Sequence, residues 1–117
     1  MYQRYFFETQ NGLWHEEVQS KLDAIQQGSS MLICAEDLGM VPEMVEDVLR
    51  EREMLSLQVQ RMPKVSTAQF THPGNASYLT VVTPSTHDMS TVRQWWEEDR
   101  SNTQLFFNQI LGHYGEA

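Results

Sequence analysis

Cysteine is nearly missing from this chain: Cys34 is the only one among 117 residues, so no intrachain disulfide can form. Its place inside an apolar run predicts a buried thiol in a reducing compartment, with the cytoplasm as the default. Basic residues are scarce too. Eight Lys and Arg stand against 16 Asp and Glu, a formal net charge of -8. Such a surface repels nucleic-acid phosphates and anionic membranes at the encounter stage, so neither is expected as a partner, and a neutral or cationic ligand fits better. No stretch approaches the roughly 20 apolar residues of a membrane helix. The start, Met1-Tyr2-Gln3-Arg4-Tyr5-Phe6-Phe7, lacks the apolar core and cleavage site of a signal peptide. Its crowded aromatics read as though the chain were cut from something longer. Internal repeats, low-complexity tracts and linkers are absent. His15, His72 and His87 do not form a metal-ligand spacing, and no metal or cofactor is expected.

What is present argues for a folded single domain over residues 1–117, since 40% of the chain is hydrophobic and 10% aromatic. Leu13, Trp14, Val18, Leu22 and Ile25 recur at near-helical spacing, predicting a helix over 11–27 with Asn11 as cap and Gly28 as stop. Residues 31–35 form an unbroken apolar run that suits a strand covered on both faces. Pro42 predicts a helix start, with Glu43, Glu46 and Asp47 near its positive end and Val45, Val48 and Leu49 inward. Leu55, Leu57 and Val59 alternate with polar residues as a second strand, and residues 61–77 form a long connection of the kind that often carries function. A third strand is predicted over 78–83. Ser90 then caps a helix through Val92, Trp95 and Trp96, and a last helix runs over 102–113 with Leu105, Phe106, Ile110 and Leu111 inward and Gly112 or Gly115 ending it. The scattered Met residues read as core filler.

Strands alternating with helices imply an α/β fold with parallel pairing and right-handed crossovers. The C-terminal strand ends then face one side, which puts Glu36, Arg61 and the His87-Asp88 pair on one rim. Two carboxylates at such a rim suit glycoside chemistry: one protonated acid donates to a leaving oxygen, and one fixed negative charge stabilises an oxocarbenium-like transition state. Spacing alone is a weak signal, because a Glu after a strand is commonplace. Asp37 can orient its loop or touch sugar, and Arg61 can serve a loop salt bridge or a substrate contact.

Three segments sharpen the reading: Met31-Leu-Ile-Cys-Ala-Glu-Asp-Leu-Gly-Met-Val-Pro-Glu43, Leu57-Gln-Val-Gln-Arg-Met-Pro-Lys64, and Val82-Thr-Pro-Ser-Thr-His-Asp-Met-Ser-Thr91 followed by Trp95-Trp96-Glu97-Glu98-Asp99. Together they resemble glycoside hydrolase family 77, the 4-alpha-glucanotransferases, and more the larger plant cytosolic disproportionating-enzyme type and its bacterial relatives than the short amylomaltases. The resemblance implies a partial TIM barrel, strands five to seven with flanking helices, under half of the roughly 250 residues of a full barrel. It implies Glu36 as general acid/base, Asp88 as transition-state stabiliser, and His87 as a sugar-hydroxyl ligand, with Asp37 and Arg61 as further substrate-binding candidates. Alpha-glucans and maltooligosaccharides are the implied partners. The family nucleophile, an Asp in an Arg-x-Asp-His context, has no counterpart here, so the isolated chain is expected to be inactive. Open strand edges lead to the expectation of self-association into a homo-oligomer. The alternative is a noncatalytic carbohydrate-binding or interaction module.

Overall fold

The computed structural model describes residues 11–42 and 44–117, with side chains from residue 16 onward. The aromatic start and Glu43 lie outside the described residues, as do the side chains of Asn11, Leu13, Trp14 and His15. Among the described residues the order is α1 (Asn11–Gly28), α2 (Val45–Glu51), β1 (Ser56–Val59), a 3-10 turn (Pro73–Asn75), β2 (Thr80–Thr83), α3 (Val92–Glu98) and α4 (Arg100–Gln109). Helices combine with a two-stranded parallel sheet, an α/β arrangement. The chain divides into two compact units, Met1–Ser56 and Leu57–Ala117, each described by itself.

In the first unit α1 ends at Gly28, close to the predicted 11–27. Val18 and Leu22 are half-buried on it, as are the polar Gln19 and Gln26. Gln19, Asp23 and Gln26 share a stripe at helical spacing and grip Arg52 at the end of α2: the guanidinium donates to Gln26 Oε1 at 2.8 Å and to Gln19 Oε1, and meets Asp23 Oδ1 at 2.8 Å. Gln26 Nε2 in turn donates to the Arg52 carbonyl at 2.9 Å. Ile25 is exposed. The second helix begins at Val45 rather than at Pro42, with Met44 as a cap that makes no side-chain bond, and it buries Val48 and Leu49 as predicted. Met54 is buried and fills core, whereas Met31, Met40 and Met62 are exposed.

The turn leaving α2 is a Schellman closure. Glu53 N–H donates to the Arg50 carbonyl at 3.2 Å and Met54 N–H to the Leu49 carbonyl at 2.9 Å, which brings the buried Leu49 and Met54 to the two ends of the motif. The position between them demands the left-handed region, and it is held by Glu53 at φ 54° instead of glycine. A Cβ there costs about 1 kcal/mol or more. Glu53→Gly is therefore expected to raise stability by about 0.5–1 kcal/mol, seen as a higher urea midpoint at unchanged slope. A lower midpoint would show that the side chain contributes more than its backbone strain costs.

The run 31–35 is not a doubly covered strand. It makes a single parallel bridge, Cys34 to Leu55, and Met31 and Leu32 are 76% and 70% exposed. The Cys34 thiol is exposed as well, not buried. The physical reason is that, among the described residues, this run has a pairing neighbour on one edge only, so its composition for burial finds no cover.

In the second unit the third strand starts at Thr80, two residues later than predicted, and Tyr78 is exposed in the turn before it. The connection 61–77 is a loop as expected, with a 3-10 turn in which His72 Nδ1 accepts from Gly74 N–H at 3.0 Å. Its packing contribution is Phe70, which meets Trp95 at 6.1 Å and Phe106 at 5.2 Å between ring centroids, both edge-on. Thr91, not Ser90, caps α3 by accepting from Gln94 N–H at 3.2 Å. Asp99 caps α4, accepting from the Ser101 and Asn102 N–H groups at 3.1 Å, so that helix starts earlier than predicted. The helix ends at Gln109 with Ile110 as its C-cap, short of the predicted 113, and Gly112 at φ 67° then lets His113 N–H reach back to the Phe107 carbonyl at 3.2 Å. Of the four apolar side chains expected inward on this helix, Phe106 is buried while Leu105 and Leu111 are exposed.

Candidate active site

Glu36 follows the bridged segment directly. Ala35 N–H donates to the Leu55 carbonyl at 2.8 Å and Leu55 N–H to the Ile33 carbonyl at 2.9 Å, so the ladder ends one residue before the carboxylate. Extended backbone sends successive side chains to opposite faces. Glu36 is accordingly exposed, whereas Asp37 is only 7% exposed and accepts a hydrogen bond from Ser56 Oγ at 2.8 Å. Two adjacent acids thus occupy two environments: one free to meet a ligand, one tying its loop to the start of β1. Gly39 at φ 76° turns the chain just beyond them.

The second unit carries the other candidates. His87 and Asp88 lie on the loop that leaves β2, with His87 Nε2 and Asp88 Oδ1 3.1 Å apart and side chains 85% and 70% exposed. Thr83 Oγ1 donates to the Ser85 carbonyl at 2.6 Å, and Asp88 N–H reaches Thr86 Oγ1 at 3.4 Å, which gives the loop a few internal bonds. Arg61 lies just past β1. Its Nε donates to the Pro84 carbonyl at 2.9 Å, one Nη donates to the Ser90 carbonyl at 2.6 Å and to Ser85 Oγ, and the other reaches Ser90 Oγ at 3.5 Å. The guanidinium carbon stands 4.8 Å from the Trp95 ring centroid, within cation–π range. Desolvation lowers the Arg61 pKa, partly offset by the Glu98 charge; the group keeps its proton, as arginine does in proteins.

Two contacts that organise these side chains carry no signal in the sequence. The Asp37–Ser56 bond joins residues 19 apart and the Arg61 bonds span 23 to 29 residues, distances at which no periodic pattern carries a signal. Among the described residues, no group of three or more His, Cys, Asp or Glu side chains could hold a metal ion, and no helix is long and apolar enough to cross a membrane.

The family model described as 4-alpha-glucanotransferase matches residues 1–117. The chain is similar to the 4-alpha-glucanotransferase DPE2 of Oryza sativa subsp. japonica, 39% identical over 112 residues, covering 96% of this chain and 12% of that protein. It is similar to a 4-alpha-glucanotransferase of Chlamydia trachomatis, 35% identical over 102 residues, covering 80% of this chain and 18% of the other. A chloroplastic/amyloplastic 4-alpha-glucanotransferase of Solanum tuberosum is 34% identical over 94 residues, covering 75% of this chain and 16% of its own length. The chain therefore spans less than a fifth of each of these relatives. No solved structure matches it.

Proposed function

The chain belongs to the 4-alpha-glucanotransferase family, and from that premise we propose that it forms part of the catalytic (β/α)8 domain of an enzyme moving α-1,4-glucan segments between maltooligosaccharides with retention. The observation that carries the reading is the split environment of adjacent acids just past the Cys34–Leu55 bridge, an exposed Glu36 beside an anchored Asp37, inside a family match that covers the whole chain. Glu36 is the general acid/base: it protonates the departing glucan oxygen, then takes the proton from the 4-hydroxyl of the acceptor sugar. Asp88 stabilises the oxocarbenium-like transition state, and His87 beside it binds a sugar hydroxyl. Neutral glucan suits a protein of net charge -8, which disfavours nucleic acid and anionic membrane as partners. A free, exposed Cys34 fits a reducing compartment, and the cytoplasm is the proposed location.

A retaining transglycosylase also needs a carboxylate nucleophile about 5 Å from the acid/base, and no Arg-x-Asp-His segment occurs in these 117 residues. The isolated chain is expected to show no disproportionation of maltose, and light scattering is expected to find it self-associated through its open apolar edge at Met31 and Leu32. Turnover by the isolated chain that disappears on Glu36→Gln overturns the assignment of the nucleophile to another segment. A well-folded monomer overturns the self-association.

A further inference from the structure

Arg61 offers one guanidinium to both ends of a single loop. Pro84 and Ser85 are the first residues after β2 and Ser90 is the last before the Thr91 cap of α3; between them lie Thr86, His87, Asp88 and Met89. Nε takes the first end at the Pro84 carbonyl, 2.9 Å, and Nη2 takes the other at the Ser90 carbonyl, 2.6 Å, while also donating to Ser85 Oγ. Ser85 Oγ itself donates to the same Ser90 carbonyl at 3.0 Å, closing the neck of the loop. The tip has weaker support of its own: Asp88 N–H to Thr86 Oγ1 at 3.4 Å and Met89 N–H to the Thr86 carbonyl at 3.3 Å. The guanidinium is fixed from its face by the Trp95 ring, and that ring is held edge-on by Phe70 and Phe106 at 6.1 and 5.4 Å.

We propose that Arg61 is a positioning residue for glucan transfer, clamping the neck of the 84–90 loop and so setting where His87 and Asp88 meet the sugar. This rests on the transferase reading above for what the loop does, though not for how it is held. The directional requirement follows from the acceptors. Two carbonyls and two hydroxyls at different angles are met by a planar fork with donors on three nitrogens, and by no single ammonium; lysine keeps the charge and loses the fork. All four of these acceptors lie in the loop, and Nε and Nη2 make the short bonds to it.

The experiment is Arg61→Lys in the intact enzyme, read by maltotriose disproportionation kinetics and by amide hydrogen exchange of residues 85–90. The expected result is faster exchange in the loop together with a kcat lower by about 10–100-fold and a KM changed by less than about threefold, since a displaced stabiliser weakens the transition state more than ground-state binding. Unchanged exchange overturns the clamp, and faster exchange with unchanged kcat overturns its positioning role. Should the unsubstituted enzyme fail to transfer glucan, the transferase reading fails, and the exchange arm alone decides whether Arg61 holds the loop. Should Arg61→Lys fail to fold, Ser85→Ala replaces it: one acceptor and the neck bond to Ser90 are removed with Arg61 and the rings intact, and the same two changes are expected at smaller size, with their absence overturning the proposal.

Discussion

Glu36→Gln in the intact enzyme is expected to lower kcat for glucan transfer by about 10²–10⁴-fold, the range that loss of a positioned general acid/base removes. The amide matches the carboxyl in shape and can still hydrogen-bond a sugar oxygen, so substrate binding should persist. It can neither give a proton to the leaving oxygen nor take one from the acceptor. Because Glu36 is exposed, the folding cost is expected to stay within about 0.5 kcal/mol. The measurement is steady-state disproportionation beside a thermal melt: unchanged Tm with kcat reduced at least 100-fold supports the role. Retention of more than a tenth of kcat would sink it. The neighbouring Asp37 is a poorer test, because its buried carboxylate is bonded to Ser56 and its loss mixes chemistry with loop stability.

The largest stability effect is expected at Phe106. This ring is 8% exposed and sits edge-on to three others, Phe70 at 5.2 Å, Trp95 at 5.4 Å and Trp96 at 6.4 Å between centroids. Phe106→Ala removes the buried ring and leaves its neighbours facing a void, a change that costs about 3–5 kcal/mol in packed cores. Against a total stability of about 5–15 kcal/mol this is a large fraction. It should appear in denaturant unfolding followed by the fluorescence of Trp95 and Trp96. Leu105→Ala serves as the comparison on the same helix: its side chain is 37% exposed and its truncation should cost far less. Equal costs at the two positions would show that the aromatic cluster is not the core of this unit.

The sites of α1 and β1 and the left-handed glycine beyond α4 were legible from local chemistry: spacing of apolar residues, alternation, and a glycine where the left-handed region is needed. The errors share a cause. Residues 31–35 have the composition of a buried strand, yet burial depends on neighbours, and only Leu55 pairs with them among the described residues. Ser90 and Thr91 are both competent caps, and the choice fell to the residue whose hydroxyl met the Gln94 N–H. The polar contact of α1 turned on Arg52, a residue 26 positions beyond Gln26.

The candidate acids divide in the same way. Sequence by itself determined that Glu36, Asp37, His87 and Asp88 follow strand-forming runs and carry the motifs of a transferase family, because strand ends and motifs are local in the chain. Only the tertiary structure decided that Glu36 faces solvent while Asp37 is buried against Ser56, and that Arg61 holds the loop bearing Asp88. Those are contacts between residues far apart in sequence, and chain closure over 19 to 29 residues depends on the packing of everything between them.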